Sequence, residues 1–259
     1  MINKKDAILE NMIQTFERLG DNSPYAKFIR AENSARIETE LPLTIFNRVF
    51  DYQAADDDKS QAAGQVKSMI DSYRERGAKC VWHVYSHKLD EVVVETLKTN
   101  GFLPVGTMSG MAVNLEGKAI QQPPMPGLSI VTVQTEEELE RFKRVFVAEY
   151  GLPDELANAF TEAFVYDPEG QMKYFLAYVD DVPAGTAMTF RTGDVGGLYM
   201  VATLKEFRRR GIGGVMVGHA LLDMQAAGAT LAVLQASDMG QTIYRKHGFE
   251  EELVIQLFG

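Results

Sequence analysis

The sequence predicts an α/β protein made of two consecutive halves, each a mixed central sheet flanked by helices. Three observations carry that expectation. Residues 68–86, "SMIDSYRERGAKCVWHVYS", lie over residues 219–237, "HALLDMQAAGATLAVLQAS", at a constant offset of 151. Further on, "LKTNGF" (97–102) lies over "YRKHGF" (244–249) at an offset of 147, and an apolar strand candidate follows each. Between the halves, "NLEGKAIQQPPMPGLS" is rich in Pro, Gly and Gln and reads as a linker around residues 115–127. The expected domains are residues 1–120 and 121–259.

Each repeat reads as the end of an amphipathic helix, then a Gly-Ala stop at Gly77 or Gly228, then a strand ending in serine. In the second half "LSIVTV" alternates like a strand. Thr135 and Glu138 then stand in capping-box spacing and start a helix, and "PDELANAFTEAF" is a second helix. The strands "KYFLAYV", "AGTAMTFRT" and "GLYMVAT" follow, joined by turns at Asp180-Asp181 and Gly193-Asp194. A helix to about Gln225, the strand "TLAVLQA", a short helix ending at His247 and the strand "EELVIQLF" complete the order β-α-α-β-β-β-α-β-α-β.

Composition excludes several function classes. The chain has 259 residues, 46% hydrophobic and 24% charged, which suits folded domains and not a disordered chain. Its formal net charge is −10, with 15 Lys and Arg against 17 Asp and Glu in residues 1–125 and 11 against 19 in residues 126–259. Such a balance repels phosphate backbones, so a nucleic-acid partner is not expected, and it mildly favours a cationic small molecule. No stretch has the roughly 18 apolar residues of a membrane span, and "MINKKDAILENMIQTFERLG" lacks a signal-peptide core. With Cys80 as the single cysteine, a cytoplasmic setting without membrane attachment is expected, and a homodimer is compatible with the sequence.

The chemistry gathers at "RRRGIGG", residues 208–214. A strand running into a glycine-rich turn that opens a helix brings free N–H groups and the positive end of the helix dipole to one point. Gly211, Gly213 and Gly214 leave that backbone open to a ligand, and Arg208, Arg209 and Arg210 can add charge-assisted hydrogen bonds of about 1.5–3 kcal/mol each. The ligand expected there is an anion such as a pyrophosphate. Basic runs are more often solvated faces, so the motif alone is weak, and its context carries the weight.

That context is "VATLKEFRRRGIGG" followed about 20 residues later by "VLQASDMGQTIYRKHGF". Over residues 128–259 the chain resembles the GNAT superfamily of acyl-CoA-dependent N-acetyltransferases, whose R/Q-x-x-G-x-G/A motif is matched by Arg208, Gly211 and Gly213. The resemblance implies acetyl-CoA as co-substrate, with its pyrophosphate on the loop from Arg208 through Ile212 to Gly214. It also implies backbone contacts to the pantetheine arm at Met200, Val201 and Thr203, and a cofactor contact at Ser237. Tyr244 falls where such proteins place the residue that protonates the departing thiolate; the alternative for it is ring packing, as at Leu97 in the first half. The strand before the loop contains no acid, so the general base stays open among Glu149, Glu155, Asp167 and a water chain. The implied reaction is direct acetyl transfer to a primary amine of a small molecule or peptide, without a metal. The alternatives are an acyl-CoA sensor without turnover and a transferase using aminoacyl-tRNA.

The first half resembles the same fold in altered form. An offset of 151 carries "RRRGIGG" onto "DDKSQAA", residues 57–63, which places Asp57 and Asp58 where arginines stand in the later copy and Ser60 where its first glycine stands. This half resembles the non-catalytic first halves of tandem GNAT proteins. Cys80, His83 and His87 have metal-like spacing, but strand alternation puts Cys80 and His83 on opposite faces, so no metal site is expected. The run Asp56-Asp57-Asp58 reads as a solvated helix start.

Overall fold

The computed structural model describes residues 2–53, 59–122, 124–166 and 170–259; Asp56, Asp57, Asp58 and Asp167 lie outside them. In chain order the elements are α1 (Lys4–Asn22), β1 (Ala26–Ala31), β2 (Ser34–Thr39), β3 (Arg48–Tyr52), α2 (Lys59–Glu75), β4 (Val81–Tyr85), α3 (Glu91–Thr99), β5 (Pro104–Asn114), β6 (Leu128–Thr132) and α4 (Glu136–Tyr150). They continue with α5 (Asp154–Thr161), β7 (Met172–Val179), β8 (Val182–Thr192), β9 (Val195–Thr203), α6 (Ile212–Ala226), β10 (Leu231–Ala236), α7 (Asp238–Lys246) and β11 (Glu250–Phe258). The expected element order of the second half is found throughout.

The chain separates into two compact units that are not consecutive segments. The larger comprises Met1–Met12 and Gly110–Glu252, the smaller Ile13–Ser109 and Leu253–Gly259. A division at residues 120 and 121 therefore differs from the units observed. The linker composition marks irregular backbone, yet that backbone is held. Leu115 is fully buried, its N–H donates to Thr230 O at 2.8 Å, and Gln225 Nε2 donates to Leu115 O at 2.6 Å and to Lys118 O at 3.0 Å.

In the larger unit the strand order is β11-β5-β10-β9-β8-β7-β6, antiparallel from β6 to β9 and parallel between β9 and β10. Asp180 and Asp181 both have positive φ, 48° and 66°, which matches the primed hairpin turn that joins strongly twisted strands. Thr135 caps α4, its Oγ1 accepting from Glu138 N at 3.2 Å, while Glu138 Oε2 accepts from Gln134 N at 2.7 Å. α6 is largely apolar, with His219, Asp223 and Gln225 as its polar residues; Ile212, Met216, Val217, Leu221 and Met224 are buried in one core with Phe175, Leu198 and Leu234. The start of α1 is pinned here by Asn11. Its Nδ2 donates to Phe190 O at 3.2 Å and Thr192 Oγ1 at 2.9 Å, and its Oδ1 accepts from Tyr199 Oη at 2.6 Å.

The smaller unit has strand order β1-β2-β3-β4-β11-β5 around a core of Val49, Val66, Ile70, Tyr73, Trp82 and Phe258. Here β3 and β4 are parallel, and β4 and β11 are antiparallel with Tyr85 opposite Ile255. The repeat in the sequence is a repeat in hydrogen bonding. α2 and α6 both end in Schellman motifs: Ala78 N donates to Tyr73 O and Ala229 N to Met224 O, each at 3.0 Å, around left-handed Gly77 and Gly228. α3 and α7 do the same, with Phe102 N on Leu97 O at 3.0 Å and Phe249 N on Tyr244 O at 3.2 Å.

Candidate functional site

The site begins where two parallel strands of the larger unit part. β9 and β10 pair at Val195–Gly197 against Leu231–Val233, and beyond Gly197 the pairing ends. On the other side β9 is bulged: Thr186 faces Ala202 and Met188 faces Tyr199, so Met200 and Val201 oppose Ala187 alone. Met200 has φ of 52°, a left-handed conformation unusual for a residue with a side chain. Its carbonyl is held by Thr186 Oγ1 at 3.0 Å. The expected backbone contacts Met200, Val201 and Thr203 thus lie on the stretch of β9 that has left β10. An extended ligand can pair there as an added strand.

At the end of β9 the chain makes a short 3₁₀ turn over Lys205–Phe207 and enters α6 through Gly211, whose φ of 88° only glycine adopts without strain. Gly214 N and Val215 N bond back to Gly211 O, and Gly211 offers no side chain to cap the helix start. Gly213 and Gly214 are helical, and a Cβ at Gly213 would lie 3.5 Å from Ile243 Cδ1 and 3.7 Å from Thr203 Oγ1, ordinary contact distances. Folding therefore does not require glycine at these positions, although each costs about 0.5–1 kcal/mol against alanine. Open backbone for an anion is what they provide, and the residues present fit the pyrophosphate of acetyl-CoA.

The arginines are used differently from one another. Arg208 does not reach into open solvent for an anion: its Nε donates to Thr203 O at 3.1 Å and its Nη2 pairs with Glu149 at the end of α4. Arg210 Nη2 donates to Glu206 O at 3.1 Å, and the guanidinium covers the Phe207 ring at 5.3 Å. Arg209 is exposed and left-handed, φ 61°. Ser237 is the exposed N-cap residue of α7 and makes no side-chain cap bond.

Tyr244 lies against the core of the larger unit, its ring edge-on to Phe249 with centroids 5.9 Å apart. That pair is the hydrophobic contact of the Schellman motif, so the residue packs whatever else it does. Burial, and next the neighbouring Tyr150, push its phenol up to about 12. Of the candidate bases, Glu149 is engaged by Arg208, and Asp167 and the Glu155 side chain lie outside the description. Sequence reasoning missed the bulge at Met200, the Arg208–Glu149 pair and the nearness of Tyr150 to Tyr244. None has a local sequence signal, since each joins segments more than ten residues apart.

The smaller unit repeats the parting of strands and fills it. β3 and β4 pair at Arg48–Val49 against Val81–Trp82, and β3 is bulged at Phe50. Beyond the last pair the buried Tyr85 hydroxyl donates to Phe50 O, and the His83 ring lies edge-on to Phe50 at 5.3 Å. His83 Nε2 is 3.3 Å from Arg48 Nη1. Cys80 is buried beside Tyr73 and Trp82, and burial pushes its thiol up to about 12.

Comparison with known proteins gives a domain match and likenesses of fold. Residues 170–251 match the family model described as "Acetyltransferase (GNAT) domain". A protein of Bacillus subtilis (strain 168), provisionally named an acetyltransferase, is 29% identical over 127 residues, which cover 47% of this chain and 83% of that one. A GCN5-related N-acetyltransferase from Kribbella flavida superposes with a TM-score of 0.74 at 18% identity, covering 100% of this chain and 95% of its own. A tandem GNAT protein from the clavulanic acid biosynthesis pathway superposes with a TM-score of 0.65 at 13% identity, over 99% and 95%. The chain has the GNAT fold, and the match to the acetyltransferase domain model falls on the residues that carry the parted strands and the glycine-rich helix start.

Proposed function

We propose that this GNAT domain is a working N-acetyltransferase, with one acetyl-CoA site in the larger unit and direct transfer of the acetyl group to a primary amine. The observation that carries the reading is the parting of β9 from β10 at Gly197 with an open, glycine-lined helix start at the end of the same strand. Acetyl-CoA supplies the activated thioester carbonyl. The N–H groups of Ile212 and Gly213 cradle the pyrophosphate, with Gly214 leaving room beside them, and Met200, Val201 and Thr203 hold the pantetheine arm along β9. A backbone N–H at the bulge faces the thioester oxygen, where negative charge grows as the amine attacks.

Tyr244 acts at the departing sulfur. A phenol near 12 stays protonated at every working pH. Full proton transfer to a thiolate whose thiol lies near about 8.5 is uphill, so Tyr244 stabilises that sulfur by hydrogen bonding. The smaller unit takes no acetyl-CoA in this reading, because Tyr85 and His83 occupy the equivalent parting of β3 from β4. Release of CoA thiol, measured across polyamines, amino acids, aminoglycosides and peptide N-termini, tests the proposal. Acetyl-CoA binding without turnover on any amine would favour a sensor, and absence of binding would remove the reading altogether.

A further inference from the structure

The first turns of α1, which belong to the larger unit, lie across the strands that part. Lys4, Ile8 and Asn11 stand at helical spacing and bond in turn to β11, β10 and β9: Lys4 Nζ to Glu252 Oε1 at 2.6 Å, Gln235 Nε2 to Ile8 O at 3.3 Å, and Tyr199 Oη to Asn11 Oδ1 at 2.6 Å. Asn11 is buried, and its amide also reaches β8, donating to Phe190 O at 3.2 Å and Thr192 Oγ1 at 2.9 Å. Tyr199 and Gln235 both lie past the last paired residues, Gly197 and Val233. One helix thus ties the two strands where they have stopped tying each other.

The tie reaches the bulge on β9. A Cβ at Gly197 would collide with Asn11 Oδ1 and with the Tyr199 ring, so only glycine lets the asparagine come this close to the strand. Tyr199 opposes Met188, and directly after it stands Met200 in its left-handed conformation, φ 52°. A residue with a side chain keeps such a conformation only where its surroundings over-determine it. Thr186 Oγ1, which donates to Met200 O at 3.0 Å, constrains the bulge from β8. The Asn11 bond constrains the residue immediately before it, since the Tyr199 ring cannot swing without losing a buried partner. A helix packed for stability alone needs only apolar contact. An amide that is buried with both of its polar atoms bonded to β8 and β9 adds direction to that contact.

We propose that Asn11 is a positioning residue for acetyl transfer: through Tyr199 it holds the β9 bulge in the left-handed form that aims a backbone N–H at the thioester oxygen. Asn11 is 1% exposed and acts through the tyrosine, not on the substrate. This rests on the reading that acetyl-CoA lies along β9 with its carbonyl at the bulge.

Infrared spectra of acetyl-CoA, isotope-labelled at the carbonyl carbon and bound to the full chain, test it, because a donor on the thioester oxygen lowers the carbonyl stretch. The native chain should bring the stretch below that of free acetyl-CoA. Tyr199→Phe, which keeps the ring, and Asn11→Ala should each abolish most of that shift, and the double variant should abolish no more than either alone. Calorimetric affinity for acetyl-CoA should stay within about threefold of native. Thr192→Val removes a partner of Asn11 that does not lead to the bulge, so it should lower Tm about as much as Tyr199→Phe and keep the native stretch. Should Asn11→Ala fail to fold, the contrast between Tyr199→Phe and Thr192→Val decides alone. A stretch unmoved in Tyr199→Phe, one changed equally by Thr192→Val, or additive losses in the double variant would each overturn the positioning role and leave the acetyl-CoA site standing. If the native chain does not bind acetyl-CoA, or binds it without shifting the stretch, the reading of the bulge falls and this one falls with it.

Discussion

Arg208 joins the end of β9 to the end of α4: one guanidinium bonds Thr203 O and pairs with Glu149. The first arginine of the loop is thus a clamp, and the carboxylate it holds stands beside the proposed anion site. Removing that negative charge lowers repulsion and leaves the guanidinium less tied. Glu149→Gln should tighten acetyl-CoA by about three- to tenfold, and Arg208→Ala should weaken it by about tenfold or more. Titration calorimetry of the two variants checks both signs, and a weaker Glu149→Gln complex would show the clamp to be needed for binding.

Gly213 separates folding from binding. A Cβ there meets only ordinary contacts, so Gly213→Ala should raise stability by about 0.5–1 kcal/mol while weakening acetyl-CoA by at least about tenfold. Gly213→Asp adds charge to bulk and should abolish binding. Thermal melts beside calorimetry decide the matter: an alanine variant that keeps native affinity would place the pyrophosphate elsewhere.

For Tyr244, replacement by Phe keeps the ring on Phe249 and removes only the hydroxyl. The expected result is a kcat lower by about 10²-fold with acetyl-CoA affinity nearly unchanged. Because the phenol lies near 12, the native kcat should also show no alkaline decline from this residue below about pH 11. Full activity in Tyr244→Phe, with chemistry rate-limiting, would return the residue to its packing role.

Binding should saturate at one acetyl-CoA per chain, since Tyr85 and His83 fill the parted strands of the smaller unit. Tyr85→Phe leaves Phe50 O without that donor and should cost about 1–3 kcal/mol without creating a second site. A stoichiometry of two would show the smaller unit to be a working copy.

Acid should loosen the smaller unit first at His83. Burial, and next the Arg48 charge, hold its pKa well below the ordinary histidine value. The unfolded chain therefore takes up a proton near about pH 6.5 that the folded chain refuses. Stability from this residue is present above that pH and is lost as pH falls below it, at up to about 1.4 kcal/mol per pH unit. His83→Gln keeps an acceptor for Arg48 and should flatten the dependence of Tm on pH between 7 and 5.5. His219 and His247 are pushed down in the same direction, so a residual slope should remain.

Much of this architecture is legible in the sequence because it is local. Thr135 and Glu138, Asp180-Asp181, and the four Gly-centred helix ends are set by contacts within about six residues, and they appear where spacing puts them. The loop glycines are legible for the same reason. What spacing does not give is pairing across distance: Arg208 with Glu149 and Asn11 with Tyr199 depend on which strands neighbour which. The linker misleads for a related reason. Its prolines and glycines report irregular backbone, while Leu115 and Gln225, which fix that backbone to the larger unit, look like any apolar and any polar residue.

β11 gives Glu250–Glu252 to the larger unit and Leu253–Phe258 to the smaller, where they pair with β4. On the ribosome, residues 13–109 therefore emerge long before the strand that closes their sheet has been made. The early half must wait, with the β4 edge unpaired, until translation has passed Phe258 and the later half has been built between them. A pause within that interval exposes an open edge of the kind chaperones cover. The order of synthesis thus makes completion of the smaller unit a late event, and a stop codon placed shortly after Glu252 would harm the half that was translated first.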